Sequence, residues 1–338
     1  MCSLQLHMKK NRIQQLDYLK GVFIILMVTF HLSLVENTYP QLRSVVYMFH
    51  MPAFLIITGY LSRVGERNTA EFTKKLVTTT LIPYLLFESL YLLMQVLLGN
   101  IFQAHNALAN LSCQDYIRYI VLQPLGTYWY LHTMFIGLAV CHIIYRVLRL
   151  QGLSALILSG TVLYGLSYCI EGLDWGNMIY LLMGIVIYSS RKPLLQVITP
   201  SFFAALPILL ICLLTDDYDK CTIQGMAMTV CVISLLLSLY PYLGTIQNML
   251  TWLGRNSLSI VVFSPIFTVA SKTWSDSFSF DPSAVSFLTI TLVFVLSGCL
   301  CCAWLSDQLH LSHYLFGKKS IYSPLKMNTS SHQNESEA

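Results

Sequence analysis

Lys20 and His31 are the two residues whose types and spacing are best suited to chemistry, because both lie inside the first apolar segment of the chain. At about 100° and 1.5 Å per residue, the interval between them makes about three helical turns, so both side chains share one helix face about 16 Å apart. An ionisable side chain inside a membrane span costs about 3 kcal/mol, which makes each a candidate functional residue. An imidazole can act as a general base near neutral pH, and an ammonium group binds anions.

Two plainer interpretations of this pair stay open. Asp17 is three residues before Lys20, so the two can form an ion pair at the membrane surface, with the lysine stem extended along the apolar region. His31 can equally be a core histidine whose ring nitrogens are satisfied by neighbouring groups.

Further polar and aromatic residues occur in the following apolar segments. His50 comes two residues before Pro52, which bends a helix and frees a backbone carbonyl, so this segment is either a simple kinked span or a polar channel wall. Glu88 is a carboxylate within the third segment. Trp129 and Tyr130 begin the fourth segment, where they form part of an aromatic belt or a platform for a sugar ring.

The composition predicts the fold that must position these residues. The 338 residues are 55% hydrophobic and 11% charged, with mean hydropathy +0.62, against about 25% charged residues in an ordinary soluble domain. A transmembrane helix needs about 20 apolar residues. We therefore predict an all-α membrane protein with about ten transmembrane helices in one bundle. The predicted spans are residues 16–36, 44–62, 76–98, 127–148, 152–170, 175–190, 200–215, 222–243, 256–272 and 283–305.

Positive charge predicts the orientation of these spans, because Lys and Arg are enriched on the cytoplasmic side. With both termini inside, fifteen of the twenty Lys and Arg residues fall on that side and four outside, with Lys20 in the first span. The predicted division is a cytoplasmic N-terminal segment (1–15), a multi-pass membrane domain (16–317) and a disordered cytoplasmic tail (318–338). The first span is expected to act as an uncleaved signal-anchor.

The same composition narrows the classes of partner. The net charge of +4 is accounted for by the topology, so no nucleic-acid binding is expected. Most of the ten cysteines lie in apolar spans, which favours packing over metal binding, and no metal site is expected. The oligomeric state is not indicated by any feature of the sequence.

Five ordered motifs resemble those of the acyltransferase-3 family of bacterial inner-membrane proteins, which O-acylate surface glycans and similar acceptors. Lysine at position 20 and threonine at position 58 stand where many relatives have arginine and serine. The form of the second motif is most similar to the branch named after fucose 4-O-acetylase. The motifs are the basic residue and histidine in residues 16–31, the FHMP element and TGY in 49–60, the basic pair and Pro-Tyr in 74–84, WYL in 129–131 and LGRNSLSI in 253–260.

The resemblance implies a donor site and a catalytic base. The donor would be acetyl-CoA or another short acyl-CoA, used as a co-substrate, with no permanently bound cofactor. Lys20, Lys74 and Lys75 would face the CoA phosphates. His31 would take the proton of the attacking hydroxyl, and an acyl-histidine intermediate is a less favoured variant. Glu88, on another span, is the candidate to hold the imidazole of His31 in the required tautomer.

The resemblance also implies a glycan or lipid-linked sugar as the acceptor, in a bacterial inner membrane whose lipids surround the protein. The predicted acceptor-binding residues are His50, Trp129, Tyr130 and Ser264. Ser264 stands where many relatives have a histidine, so the choice of substrate is expected to differ here. A transporter or flippase for an acylated or lipid-linked glycan is the alternative function, since kinked spans and intramembrane histidines suit that as well.

Overall fold

The computed structural model describes residues 12–98 and 111–325, which form helices and loops without a strand. The predicted all-helical class is therefore confirmed for this part of the chain. The helices are α1 (Gln14–Phe30), α2 (Ser33–Thr38), α3 (Pro40–Ser62), α4 (Thr69–Leu76), α5 (Ile82–Leu98), α6 (Cys113–Val121), α7 (Trp129–His142), α8 (Gly152–Cys169), α9 (Trp175–Ser189), α10 (Leu194–Val197), α11 (Ala205–Leu214), α12 (Ile223–Leu239), α13 (Thr245–Arg255), α14 (Ser257–Ser271), α15 (Val285–Gln308) and α16 (Leu311–Phe316).

Short segments of other helical types extend several of these. A π-helical turn, Val77–Leu81, joins α4 to α5, and another, Ile143–Val147, follows α7. Such turns insert an extra residue into the hydrogen-bond ladder and rotate the side chains that follow. Three 3₁₀ segments, Phe202–Ala204, Tyr240–Tyr242 and Lys272–Phe278, lie before α11, after α12 and after α14.

Helix length and hydropathy identify which helices can cross a membrane. In the described part of the chain, seven are long and apolar enough, so the protein is a multi-pass membrane protein. Two more, Trp175–Ser189 and Phe202–Leu214, are apolar but shorter, and α1 has 17 residues. The count of ten spans and the positions of the termini stay predictions. The seven are Pro40–Ser62, Thr69–Leu97, Trp129–Val147, Gly152–Cys169, Ile223–Tyr242, Ser257–Phe278 and Val285–Gln308.

The first predicted span, residues 16–36, is wrong in its extent, because α1 ends at Phe30. The amide of His31 still donates to the carbonyl of Val28, at 3.1 Å, and the backbone of His31 then leaves the helical conformation. The chain turns into the separate helix α2. His31 therefore stands at the end of a helix, where its side chain is freer to face a cavity than in the middle of a span.

Two glycines bring α1 and α13 into backbone contact. A Cβ atom at Gly21 would overlap the carbonyl oxygen of Leu250, and one at Gly254 would overlap that of Asp17. Small residues allow membrane helices to approach this closely, where van der Waals packing replaces the hydrophobic effect as the attraction. The contact fixes the end of α1 that carries Asp17.

Pro52 lies inside α3, which continues on both sides of it from Pro40 to Ser62. A proline lacks the amide hydrogen that would bond the carbonyl four residues earlier, which here is that of Met48. The hydroxyl of Thr229 on α12 lies 3.4 Å from this carbonyl oxygen, while its shorter hydrogen bond, 2.8 Å, goes to the carbonyl of Gly225. A hydroxyl of a neighbouring helix thus lies beside the carbonyl that the proline leaves free, in a region where the membrane interior offers no water.

The beginning of the predicted disordered tail is ordered. Asp307 accepts hydrogen bonds from the amides of Ile321, at 3.0 Å, and Tyr322, at 2.9 Å. Asn256 accepts another from the amide of Ser323 at 2.8 Å. These bonds tie residues 321–323 to α15 and to Asn256, which lies between α13 and α14. The rest of the tail, 326–338, and residues 1–11 lie outside the described residues, so the proposed domain limits stay predictions.

Candidate active site

A cavity of about 520 Å³ opens beside His31. We call it the His31 cavity, and its polar walls come from α3, α7, α9 and the loop before α12. His31, His50, Trp129, Asn177 and Lys220 are among its lining residues. A volume of several hundred Å³ with a few convergent polar groups is typical of a small-molecule site.

The hydrogen bond made by His31 decides which ring nitrogen is available for chemistry. Its Nδ1 lies 2.7 Å from the carbonyl oxygen of Met27, one turn earlier in α1. A carbonyl oxygen can only accept, so Nδ1 carries the hydrogen and donates it. The lone pair of a neutral imidazole is then on Nε2, for which the described residues provide no hydrogen-bond partner. His31 is therefore prepared to accept a proton in the cavity.

His50 has the same arrangement on α3. Its Nδ1 lies 2.7 Å from the carbonyl oxygen of Val46, and its buried Nε2 is without a partner among the described residues. The ring of Tyr47 lies between the two imidazoles, with centroid distances of 6.0 Å to His31 and 5.2 Å to His50. Both imidazoles line one cavity, and each has a ring nitrogen for which the described residues provide no hydrogen-bond partner.

Trp129 presents its ring to the same cavity beneath the ammonium group of Lys220. The Nζ atom of Lys220 lies 5.9 Å from the ring centroid and 2.5 Å from a carboxylate oxygen of Asp174. The Oδ1 atom of Asn177, itself buried, has no hydrogen-bond partner in the described structure. An aromatic ring beside such polar groups suits a sugar, which combines an apolar face with hydroxyls.

A second cavity, of about 250 Å³, opens beside Lys20. We call it the Lys20 cavity. Lys20, Arg67 and Lys75 supply its positive charge, whereas Lys74, the neighbour of Lys75, is exposed and does not line it. Arginine and lysine are the usual partners of phosphate groups. The cavity is therefore suited to the anionic part of a ligand.

The ion pairs around Asp17 hold Lys20 in place. The buried carboxylate of Asp17 lies 2.7 Å from Nζ of Lys20, pairs with Arg12 and lies 3.8 Å from Nε of Arg255. Desolvation, and then the charges of Lys20 and Arg12, lower the pKa of Lys318 at the start of the tail. Three cations around one carboxylate leave this end of the bundle positive, which favours anion binding.

The two cavities lie along one continuous face of α3. Residues separated by three and four positions fall on one side of a helix. On this face of α3, the residues before Phe54 line the His31 cavity and those from Phe54 onward line the Lys20 cavity. From Tyr47 to Ser62 they cover an axial distance of about 22 Å at 1.5 Å per residue. The series is Tyr47, His50, Met51, Phe54, Ile57, Thr58, Leu61 and Ser62.

Glu88 does not have the role predicted for it. No hydrogen bond joins it to His31 in the described part of the chain; its Oε1 atom instead accepts from the amide of Leu125 at 2.7 Å. Two residues later, the hydroxyl of Thr127 donates to the carbonyl of Val261 at 3.2 Å. Glu88 thus anchors the loop before α7, whose Pro124 lines the His31 cavity. The tautomer of His31 is fixed by a backbone carbonyl instead.

The remaining predicted site residues divide between the cavities. Ser264 is buried on α14 and its hydroxyl lacks a partner among the described residues, but it lines neither cavity. The structure brings His31, His50 and Trp129 together in one cavity, brings Lys20, Lys75 and Tyr130 together in the other, and leaves Glu88, Lys74 and Ser264 outside both.

Sequence reasoning missed several residues of both cavities. Arg67, Asp174, Asn177 and Lys220 lie in loops or near helix ends, without a motif or a spacing pattern. The only signal was that Lys220 is one of the few cations on the predicted outer side, where positive charge is rare. A charge placed against that tendency is a reasonable indicator of a site.

Comparisons with known proteins place most of the chain in one family model. Residues 13–307 match a model described as an acyltransferase domain. Nodulation protein NolL of Sinorhizobium fredii is 33% identical over 132 residues, which cover 36% of this chain and 33% of that protein. Nodulation protein NolL of Mesorhizobium japonicum is 26% identical over 152 residues, covering 42% and 38%. The alignments thus span well under two thirds of either relative. No solved structure matches the chain significantly.

Proposed function

This chain belongs to the acyltransferase-3 family, as its ordered motifs predicted, and from this we propose its function. It transfers a short acyl group, most simply acetyl, from cytoplasmic acyl-CoA to a hydroxyl of a cell-surface or lipid-linked glycan. One observation carries this proposal. A histidine with a free Nε2 and a group of cations line two cavities that follow one another along α3. The base and the phosphate-binding charges are thus separated as a long donor requires.

The Lys20 cavity is the proposed donor site. Acyl-CoA carries phosphate groups at one end and its thioester at the other, so it needs positive charge and an uncharged region in sequence. Arg67 and Lys75 provide the charge, with Lys20 deeper in the bundle. The positive-inside distribution supports a cytoplasmic position for this cavity in the proposed bacterial inner membrane, on the side where acyl-CoA is made.

The His31 cavity is the proposed acceptor site. A sugar ring stacked on Trp129 would have its hydroxyls within reach of Asn177, Asp174 and His50. The buried Nε2 of His50 and Oδ1 of Asn177 lack partners within the described structure, and a rotation of either side chain toward the cavity on binding would allow a sugar hydroxyl to satisfy it.

The reaction needs one proton carrier, and His31 supplies it. The acceptor hydroxyl gives its proton to Nε2 of His31 as its oxygen attacks the thioester carbonyl carbon. The tetrahedral intermediate collapses, the carbon–sulfur bond breaks, and the imidazolium returns the proton to the departing CoA thiolate. The products are an ester on the glycan and CoA with a free thiol, and His31 is neutral again.

Mass spectrometry of envelope glycans from the native host tests this function. The strains are wild type, a deletion, and His31→Ala with membrane abundance equal to wild type. Loss of the same base-labile ester in both altered strains is the expected result, and the modified sugar identifies the acceptor. If the deletion removes the ester or the glycan while His31→Ala keeps it, the catalytic role of His31 fails and transport of an acylated glycan becomes the better hypothesis.

A further inference from the structure

We propose that Phe54 and Tyr130 form an aromatic wall, which we call the partition, along one side of the acyl-binding end of the donor site, and that this wall restricts the donor to short, uncharged acyl groups. The thioester carbonyl lies beside the wall, open to the acceptor hydroxyl in the His31 cavity. This inference rests on the proposed function, since it assigns the acyl-binding end of the donor site. Both residues line the Lys20 cavity. Each is also next to the His31 cavity, because Met51 lies one turn before Phe54 on α3 and Trp129 directly precedes Tyr130 on α7.

Direct contacts hold the partition together. The rings of Phe54 and Tyr130 meet edge to face, with a centroid distance of 6.0 Å. The hydroxyl of Tyr130 lies 2.6 Å from the hydroxyl of Thr58, one turn further along α3. On its other side, the ring of Phe54 packs against the ring of Phe23, with a centroid distance of 6.2 Å. The aromatic contacts and the hydrogen bond therefore give the acyl-binding end of the donor cavity a packed wall on the side of α3 and α7.

The character of the Lys20 cavity changes along α3. Ser62 and Arg67 lie at one end and Phe54 at the other, about 12 Å away at 1.5 Å per residue. Nζ of Lys20 is turned toward Asp17, which lies one turn further from the partition. The ammonium group is thus directed away from Phe54. An acyl group that reaches the partition meets aromatic carbon and two hydroxyls that already bond to each other.

These surroundings select the acyl group by size and by charge. An acetyl group ends at the carbonyl carbon plus one methyl and needs little space beyond the thioester. Each further methylene would have to displace ring atoms in a packed wall, which is unfavourable without rearrangement. A succinyl group would bring a carboxylate against aromatic carbon with no cation facing it, and an unpaired buried charge is costly.

Binding of thioether analogues to the purified full-length chain tests the partition without requiring the acceptor. The probes are S-ethyl-, S-butyl- and S-hexyl-CoA, measured by titration calorimetry in detergent. Wild type is expected to bind the ethyl analogue at least tenfold more tightly than the hexyl analogue. Phe54→Ala and Tyr130→Ala are expected to reduce or reverse that ratio. Tyr130→Phe, which keeps the ring, is expected to retain the wild-type ratio.

Leu138→Ala is the matched control, since Leu138 lines the same cavity two turns along α7 from Tyr130. Its ratio is expected to stay at the wild-type value. If wild type binds the analogues without regard to length, or if Leu138→Ala changes the ratio as much as Phe54→Ala, the partition is refuted while the donor site stands. If wild type binds none of them, the donor site itself fails, which is a failure of the proposed function.

Discussion

Lys20 within α1 and His31 at the C-terminal end of that helix line different cavities. Lys20 is held by Asp17 near the start of α1, and His31 stands just beyond its last residue, Phe30. The helix is therefore a fixed spacer between positive charge at one end and a base at the other. The spacing between Lys20 and His31 separates the region that would bind phosphate from the region where a proton would be moved.

His31→Gln is expected to abolish acyl transfer while leaving the fold intact. Glutamine can still donate a hydrogen bond to the carbonyl of Met27, but it has no nitrogen that accepts a proton. Removal of a positioned base costs typically about 10²–10⁴-fold in rate. The measurement is transfer of labelled acetyl from acetyl-CoA to membranes of the native host. Exposed His313 on α16 provides the control His313→Gln, which should keep wild-type transfer. Equal transfer by the two variants would refute the role of His31.

Lys75→Ala is expected to weaken the use of acetyl-CoA, whereas Lys74→Ala is not. The two residues carry the same charge and lie in the same helix, α4, but only Lys75 lines the Lys20 cavity. Loss of a charge-assisted hydrogen bond of about 1.5–3 kcal/mol corresponds to a rise in KM of about ten- to a hundredfold. Initial rates over a range of acetyl-CoA concentrations measure this effect. A similar rise for both variants would indicate general attraction by surface charge instead of a contact in the cavity.

The location of the helices was predictable because an apolar run near 20 residues has few structural options in a membrane. The break after Phe30 was not, since Leu32, Leu34 and Val35 still suggest an apolar run and the contact made there, a hydrogen bond from the hydroxyl of Tyr47 to the carbonyl of Phe30 at 3.0 Å, is tertiary. His31 and Lys20 were recognisable because ionisable groups are rare in such runs. Arg67 and Lys220 were not, because loop residues reach a site only through the tertiary arrangement of the helices that the loops connect.

The role of Glu88 shows a further limit of sequence reasoning. A buried carboxylate was a sound candidate for a site, but the sequence could not show which of many polar groups it would meet. The structure pairs it with the amide of Leu125. A backbone donor leaves no mark on the sequence, so this partner was not predictable. The same holds for His31, whose tautomer is set by the carbonyl of Met27.

Glu88→Gln and Glu88→Leu are expected to differ from each other. Glutamine retains an oxygen that can accept from Leu125, whereas leucine leaves that amide without a partner, at a cost of about 1–3 kcal/mol. Because the loop carries Pro124 into the His31 cavity, Glu88→Leu should raise KM for the acceptor and lower thermal stability. The pH dependence of transfer should stay as in wild type for both. A shifted pH profile in Glu88→Gln would instead support direct action on His31.

Gly21→Ala is expected to destabilise the bundle by separating α1 from α13. The added Cβ would overlap the carbonyl oxygen of Leu250, and a backbone atom cannot rotate away as a side chain can. Overpacking of this kind costs about 1–3 kcal/mol or more. Gly165→Ala is the matched control on α8, since nothing lies within 4 Å of its added Cβ. Replacing a glycine in a helix interior by alanine there should stabilise the helix by about 0.5–1 kcal/mol. The apparent melting temperature of each variant in detergent measures both effects. We expect it to fall for Gly21→Ala and to stay level or rise for Gly165→Ala, and equal values would show that α1 and α13 do not need backbone contact.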